Sequence, residues 1–104
     1  MTFTGHEDHS VTLQEAAEWT KKYRDDAGSG AIIGGFFSKE AIEKLLNQTG
    51  AVGIRYYYGK EKDSTPILVL CAVDADENDL YEGELMELAR PCPPNCSELN
   101  PLNS

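Results

Sequence analysis

The chain has 104 residues, enough for one modest core, and its 40% hydrophobic and 26% charged content is ordinary for a globular protein. Its formal net charge of −9 at pH 7 repels phosphate backbones and argues against nucleic-acid binding. No stretch reaches the ~18 apolar residues of a membrane-spanning helix, and residues 1–10 lack the regions of a signal peptide. We therefore expect one domain, residues 1–104, located in the cytoplasm, with neither a membrane nor a nucleic-acid partner.

The first third of the chain predicts an arm, a helix and a short strand. Residues 1–10 are polar and without periodicity, which is typical of a mobile or lightly tethered arm. Thr12 and Glu15 have the spacing of a capping box, so we expect a helix from 12 to about 24. The glycine-rich apolar run 31–37 predicts a strand or an extended entry segment.

A second helix is predicted from 39 to about 48. Ser38 is a typical N-cap residue, and Phe37 and Ile42 have the spacing of a hydrophobic staple. Gly50 lies where a glycine C-cap belongs. These signals are local and agree with one another, which makes this helix the best-defined element of the sequence.

Two strands are predicted next, over 51–58 and 67–73. The loop between them is short, so they should pair antiparallel. The second is apolar on both faces, as in a central strand, and Cys71 within it is expected to be a small core residue. In the first strand, Tyr56 and Tyr58 share a face and are expected to be core or interface aromatics.

The remainder of the sheet is less defined. Leu80 and Tyr81 suit the start of a third strand, whereas 83–90 fits a helix and a strand equally well. The predicted fold class is α+β, with two helices packed on one face of a small, mainly antiparallel sheet. An extended Cys-Pro tail, residues 91–104, completes the chain.

The seven acidic residues between Asp74 and Glu87, with no Lys or Arg among them, hold most of the negative charge. Asp74, Asp76 and Asn78 place oxygens at positions 1, 3 and 5 of a calcium loop, but position 6 is not Gly and position 12 is not Glu. We therefore expect an acidic hairpin turn with a solvated surface, to which a basic partner would also be suited.

The tail segment 91–96, Pro-Cys-Pro-Pro-Asn-Cys, suits neither a helix nor a central strand because its three prolines lack backbone donors. Fully extended, it would hold Cys92 and Cys96 about 12 Å apart, beyond the ~7 Å limit for a disulfide. A turn at Pro94-Asn95 would bring them together. A structural strap is the favoured interpretation and thiol redox chemistry the second. The odd number of cysteines favours a reduced compartment.

Residues 36–59, which include Phe-Phe-Ser-Lys-Glu and Gly-Ile-Arg-Tyr-Tyr-Tyr-Gly, and the ending Pro-Cys-Pro-Pro-Asn-Cys resemble a group of small uncharacterised bacterial proteins. The likeness spans most of residues 36–96. It implies a domain without an assigned activity, and it transfers no catalytic residue to this chain.

A zinc site is the predicted alternative if the two ends of the domain meet. His6, His9, Cys92 and Cys96 would supply two imidazoles and two thiolates. The spacing of the cysteines lies in the zinc range, whereas that of the histidines is shorter than usual. The favoured expectation is no cofactor.

Aromatic residues carry the main functional prediction. Arg55 with Tyr57 could hold an anion or a planar ligand by guanidinium stacking, or Arg55 could be an exposed strand arginine paired with a carboxylate. Trp19, Phe36, Phe37 and Tyr57 provide more aromatic area than one small core absorbs, which favours an interface.

Catalysis by histidine is not expected, because the two histidines both lie in the arm. The sequence contains no Ser-His-Asp arrangement and no phosphate-binding glycine loop. It therefore predicts a non-enzymatic binding or assembly module that associates with another protein or with itself. The alternative is a zinc or thiol-redox protein.

Overall fold

The computed structural model describes residues 2–104 and contains two helices and five strands within them. In chain order these are α1 (Leu13–Ala27), β1 (Gly34–Phe36), α2 (Lys39–Leu46), β2 (Ala51–Lys60), β3 (Pro66–Asp74), β4 (Leu85–Met86) and β5 (Arg90–Cys92). The strand pairings are antiparallel, which confirms the α+β class. Within the described part, neither helix has the length and hydrophobicity needed to span a bilayer.

The strands form two sheets, where one was predicted. One sheet has the order β2-β3-β4, and the other pairs β1 with β5. The chain divides into two compact units. We call residues 2–7 and 37–89 the first unit, and residues 8–36 and 90–104 the second unit.

Helix α2 of the first unit packs against β2 and β3. Its N-terminus is capped as predicted, since the Ser38 hydroxyl accepts a hydrogen bond of 3.1 Å from the Ala41 amide. Leu45, in the last turn of α2, is fully buried. The helix ends at Leu46, two residues before the predicted end, and Gly50 follows with a φ of 87°.

The core of the first unit is centred on β3. The β2–β3 ladder runs from Ala51 opposite Asp74 to Lys60 opposite Pro66, with one irregularity near Gly53. Among residues 2–104, four of the five buried apolar residues lie consecutively in β3, from Leu70 to Val73. This confirms the prediction of a central strand, and it confirms Cys71 as a small core residue.

The third strand is β4, not the predicted Leu80-Tyr81 segment. Asp79 forms only an isolated bridge to Val73, and the chain reaches β4 after a further turn. The Gln48 side-chain oxygen accepts a hydrogen bond of 2.9 Å from the Glu84 amide, and a Cβ on Gly83 would clash with that oxygen. The path into β4 therefore depends on a residue 36 positions away.

The amino-terminal arm is tethered to the first unit over residues 2–7. The Phe3 amide donates a 3.0 Å hydrogen bond to the Ala75 carbonyl. The Glu7 carboxylate accepts from the Thr4 and Gly5 amides at 2.9 and 3.0 Å. The Thr4 amide is the largest cause of the fall in the pKa of Glu7 to about 2.

The second unit contains α1 and the β1–β5 sheet. The capping box of Thr12 and Glu15 is present. The helix ends at Ala27, three residues beyond the predicted end, and Gly28 follows as its C-cap with a φ of 86°. Pro91 lies in β5, which is tolerated because both strands of a two-stranded sheet are edges.

Candidate functional site

Arg55 and Tyr57, the predicted ligand-binding pair, contact one carboxylate in the first unit. They lie two residues apart on β2 and therefore on one face of the sheet. Arg55 Nη1 lies 2.7 Å from Asp79 Oδ1, and the Tyr57 hydroxyl donates to Asp79 Oδ2 at 2.5 Å. The Arg55 and Asp79 side chains are only 32% and 23% exposed. Of the two predicted alternatives, the structure shows the arginine paired with a carboxylate.

The electrostatics of this cluster fix the charge of each member. The Tyr57 hydroxyl, followed by Arg55 and Cys71, holds the pKa of Asp79 below its usual value. The hydrogen bond to Asp79 in turn raises the pKa of Tyr57 and the pKa of Arg55. Asp79 is therefore an anion, Arg55 a cation and Tyr57 neutral across the ordinary pH range.

Cys71 lies beneath the cluster, directly opposite Arg55 in the β2–β3 ladder. Burial is the main cause of the raised pKa of its thiol, and the Asp79 charge adds to it. A buried thiol with a raised pKa is protonated and a weak nucleophile. On Arg55, the guanidinium carbon lies 5.9 Å from the centre of the Phe3 ring, within cation–π range.

The turn that presents Asp79 is held by the first acid of the acidic run. Asp74 Oδ1 accepts hydrogen bonds from the amides of Asp76 and Asn78 at 2.9 and 3.0 Å. This is the predicted acidic turn, built as an Asx turn. Sequence reasoning missed Asp79 as the partner of Arg55, because the two are 24 residues apart and no local pattern joins them.

The three consecutive tyrosines of β2 are exposed. Tyr56, Tyr57 and Tyr58 expose 55%, 49% and 84% of their surface, so Tyr56 and Tyr58 are not core residues. The rings of Tyr56 and Tyr58 pack edge to face with centres 5.6 Å apart. Opposite Tyr58 on β3 is Leu68, which is also exposed. Tyr57 lies on the opposite face of the strand, so we call Tyr56 and Tyr58 the tyrosine surface.

The tyrosine surface lies on an edge strand. In the sheet order β2-β3-β4, β2 pairs with β3 along one side only. Within residues 2–104, no strand pairs with its other side. The backbone amides and carbonyls that face that side are free to pair with another strand.

Trp19 lies in the second unit, in a groove of about 210 Å³ beside α1. The groove is lined by Trp19, Thr20, Tyr23, Arg24, Ile33 and Leu102. Arg24 donates two hydrogen bonds of 2.7 Å, to the carbonyls of Leu102 and Ser104. This contact fixes the tail on α1, and nothing in the sequence pattern indicated it.

Cys92 and Cys96 form a disulfide, with their Cα atoms 4.8 Å apart. The segment is not extended, because the Asn95 amide donates back to the Pro91 carbonyl at 2.8 Å. The Cys92–Pro93 and Pro93–Pro94 bonds are cis. Cys92 is half-buried and Cys96 exposed. The cytoplasmic location stays a prediction, since disulfides persist mainly in oxidising compartments.

The predicted zinc ligands are divided between the two units. His6 belongs to the first unit, whereas His9 and both cysteines belong to the second. Among the described residues, no group of three or more His, Cys, Asp or Glu side chains is placed to hold a metal. Zinc binding by the cysteines requires thiolates, so the zinc alternative stays a prediction for the reduced chain.

No protein-family model, curated protein or solved structure matches this chain. The resemblance to small bacterial proteins therefore stays an expectation. Function has to be argued from the chain's own residues, above all from the cluster on Asp79 and the tyrosine surface.

Proposed function

We propose that this protein is a non-enzymatic binding or assembly module that self-associates through the tyrosine surface of β2. The observation that carries the proposal is the exposure of Tyr56, Tyr57 and Tyr58 in the interior of a ten-residue edge strand. Tyrosine combines a large apolar ring with a hydroxyl that tolerates water, and it is enriched at protein interfaces.

The cluster on Asp79 supports this proposal over ligand binding at Arg55. The Arg55 guanidinium is held within the chain, because its Nη1 donates to both Asp79 and the Glu77 carbonyl. Tyr57 donates to the same carboxylate. The cluster fixes the turn on the sheet and leaves the rings beside it as the contact surface.

The proposal is tested by measuring mass against concentration. Light scattering coupled to size-exclusion chromatography should show the mass rising from one chain at low micromolar concentration toward a defined multiple at submillimolar concentration. The expected mass is the same with and without a chelator, because the tyrosine surface has no need of a metal. A single-chain mass throughout the range would contradict self-association.

A further inference from the structure

The free edge of β2 lacks the features that normally prevent strand pairing. Natural edge strands are protected by proline, by charged side chains such as lysine, or by bulges. From Gly53 to Gly59 there is no proline and no lysine. The one irregularity in the ladder lies between Ala51 and Gly53, at the start of the strand. These seven residues therefore carry no proline, lysine or bulge, and Tyr56, Tyr57 and Tyr58 among them are exposed.

The only charge on that stretch is already compensated within the chain. Arg55 is the single charged residue between Gly53 and Gly59, and its guanidinium is bonded to Asp79 across the sheet. Two copies of the strand can therefore approach without placing unpaired like charges opposite each other. This favours a second copy of the chain over a partner of opposite charge.

The sequence of the strand is close to symmetric about Tyr56. If two copies run antiparallel with Tyr56 facing Tyr56, glycine faces glycine at positions 53 and 59, and Ile54 faces Tyr58. Arg55 then faces Tyr57. Aromatic pairs and pairs of an aromatic with a β-branched residue are among the favourable cross-strand contacts. Moving the centre to Tyr57 would instead place Ile54 opposite Lys60.

We infer that two copies of this protein pair antiparallel along the free edges of their β2 strands, with Tyr56 at the two-fold axis, to form a continuous six-stranded sheet. The inference rests on the proposed self-association and gives it a location and a register. An interface that uses the same surface on both copies closes at two chains. On one face of the sheet, Tyr56 and Tyr58 of both copies form a single aromatic cluster.

The net charge of −9 opposes this dimer, but the exposed acids Glu82 and Glu84 lie away from the edge. Glu82 and Glu84 precede β4, which is separated from β2 by β3. The two strand spacings between β4 and β2 amount to about 10 Å. This is close to the distance over which about 0.1 M salt screens the repulsion between charges. Added salt should therefore tighten the dimer, whereas a dimer held by ion pairs would loosen.

The location is tested with Tyr58→Lys and a matched control, Tyr81→Lys. Tyr58 is 84% exposed and Tyr81 69% exposed, both in the first unit, so each change adds one charge at an exposed ring. Sedimentation should show that Tyr58→Lys weakens the dimer by about tenfold or more, as for an aromatic near the centre of an interface. Tyr81→Lys should dimerise like the wild type.

The register is tested by adding one cysteine, at Tyr56 or at Tyr58, under mild oxidation, with the buried Cys71 and the Cys92–Cys96 disulfide unchanged. Directly opposed residues in an antiparallel pair have Cα atoms about 4.5–5.5 Å apart, so Tyr56→Cys should link two chains. The two copies of position 58 would be four residues apart along the strands, about 14 Å, so Tyr58→Cys should link slowly.

The outcomes separate the inference from the proposed function. A dimer that Tyr58→Lys leaves intact, or faster linking at position 58 than at position 56, would overturn the edge pairing while self-association stands. A single chain at all concentrations would overturn both. Tightening by salt, a selective loss in Tyr58→Lys and linking at position 56 would together support the pairing.

Discussion

Asp79 is the acceptor that Arg55 and Tyr57 share, and it lies on a turn beyond β3. Both donors come from β2, so this single carboxylate ties the acidic turn to the edge strand of the sheet. Hydrogen bonds to a charged group contribute more than neutral ones, especially where water is partly excluded.

Asp79→Asn should therefore destabilise the first unit, by about 1–3 kcal/mol for the hydrogen bonds that the carboxylate accepts. Asp76→Asn is the matched control, since it removes the same charge from an exposed position of the same turn and should change stability by no more than about 0.5 kcal/mol. Urea unfolding followed by tyrosine circular dichroism measures both. Equal effects of the two changes would contradict the role given to Asp79.

The lowered pKa of Asp79 also predicts a pH dependence. A carboxyl whose pKa is depressed in the folded chain adds stability that is fully present above its unfolded pKa, about 3.9. That stability is lost as the pH falls through the folded pKa. The difference in unfolding free energy between wild type and Asp79→Asn should be constant near neutrality and shrink below about pH 4. A difference that grows in acid would contradict this assignment.

Residue roles were predictable from the sequence where the partner is close along the chain. The capping box of Thr12 and Glu15 and the cap at Ser38 involve residues three apart, and both are present. The partners of Arg55 lie 22 and 24 residues away, and those of Arg24 lie 78 and 80 residues away. Such contacts follow from the folded path of the chain, which a local pattern does not contain.

At the scale of elements, both helices and the β2–β3 hairpin followed from periodicity and capping. Strand β1 lies within the run 31–37, which was predicted as a strand or an extended entry segment. The strands β4 and β5 were not predicted. β4 has two residues and β5 three, so neither is long enough to show an alternating pattern. β5 also contains a proline, and it exists because β1 supplies its partner at Gly34 opposite Cys92.

The Cys92–Cys96 disulfide is a local link within the tail, because it closes a loop of only four residues. Loop-closure entropy for so short a loop is worth about 2 kcal/mol at most. Replacing both Cys92 and Cys96 by serine should therefore lower the melting temperature modestly and leave the fold intact. Trp19, the only tryptophan, reports on the second unit by fluorescence. Loss of its folded signal at room temperature would show that the bond is essential to that unit.

At the scale of the whole molecule, composition and pattern predicted the α+β class but neither the division into two sheets nor the exposure of the tyrosines. The alternation of side chains along a strand placed Tyr56 and Tyr58 on one face of β2, as found. It cannot show which part of that face a helix covers. Helix α2 has eight residues, too few to cover the ten-residue strand β2 along its full length. The uncovered part carries the proposed assembly surface.

Residue-resolved hydrogen exchange of β2 as a function of protein concentration tests the central claim most directly. The amides between Gly53 and Gly59 that face away from β3 should exchange quickly in dilute solution and become slow as copies pair. Amides of the 61–65 loop should exchange at the same rate throughout. If the outward amides of β2 exchange equally fast at every concentration, the edge is not the assembly surface.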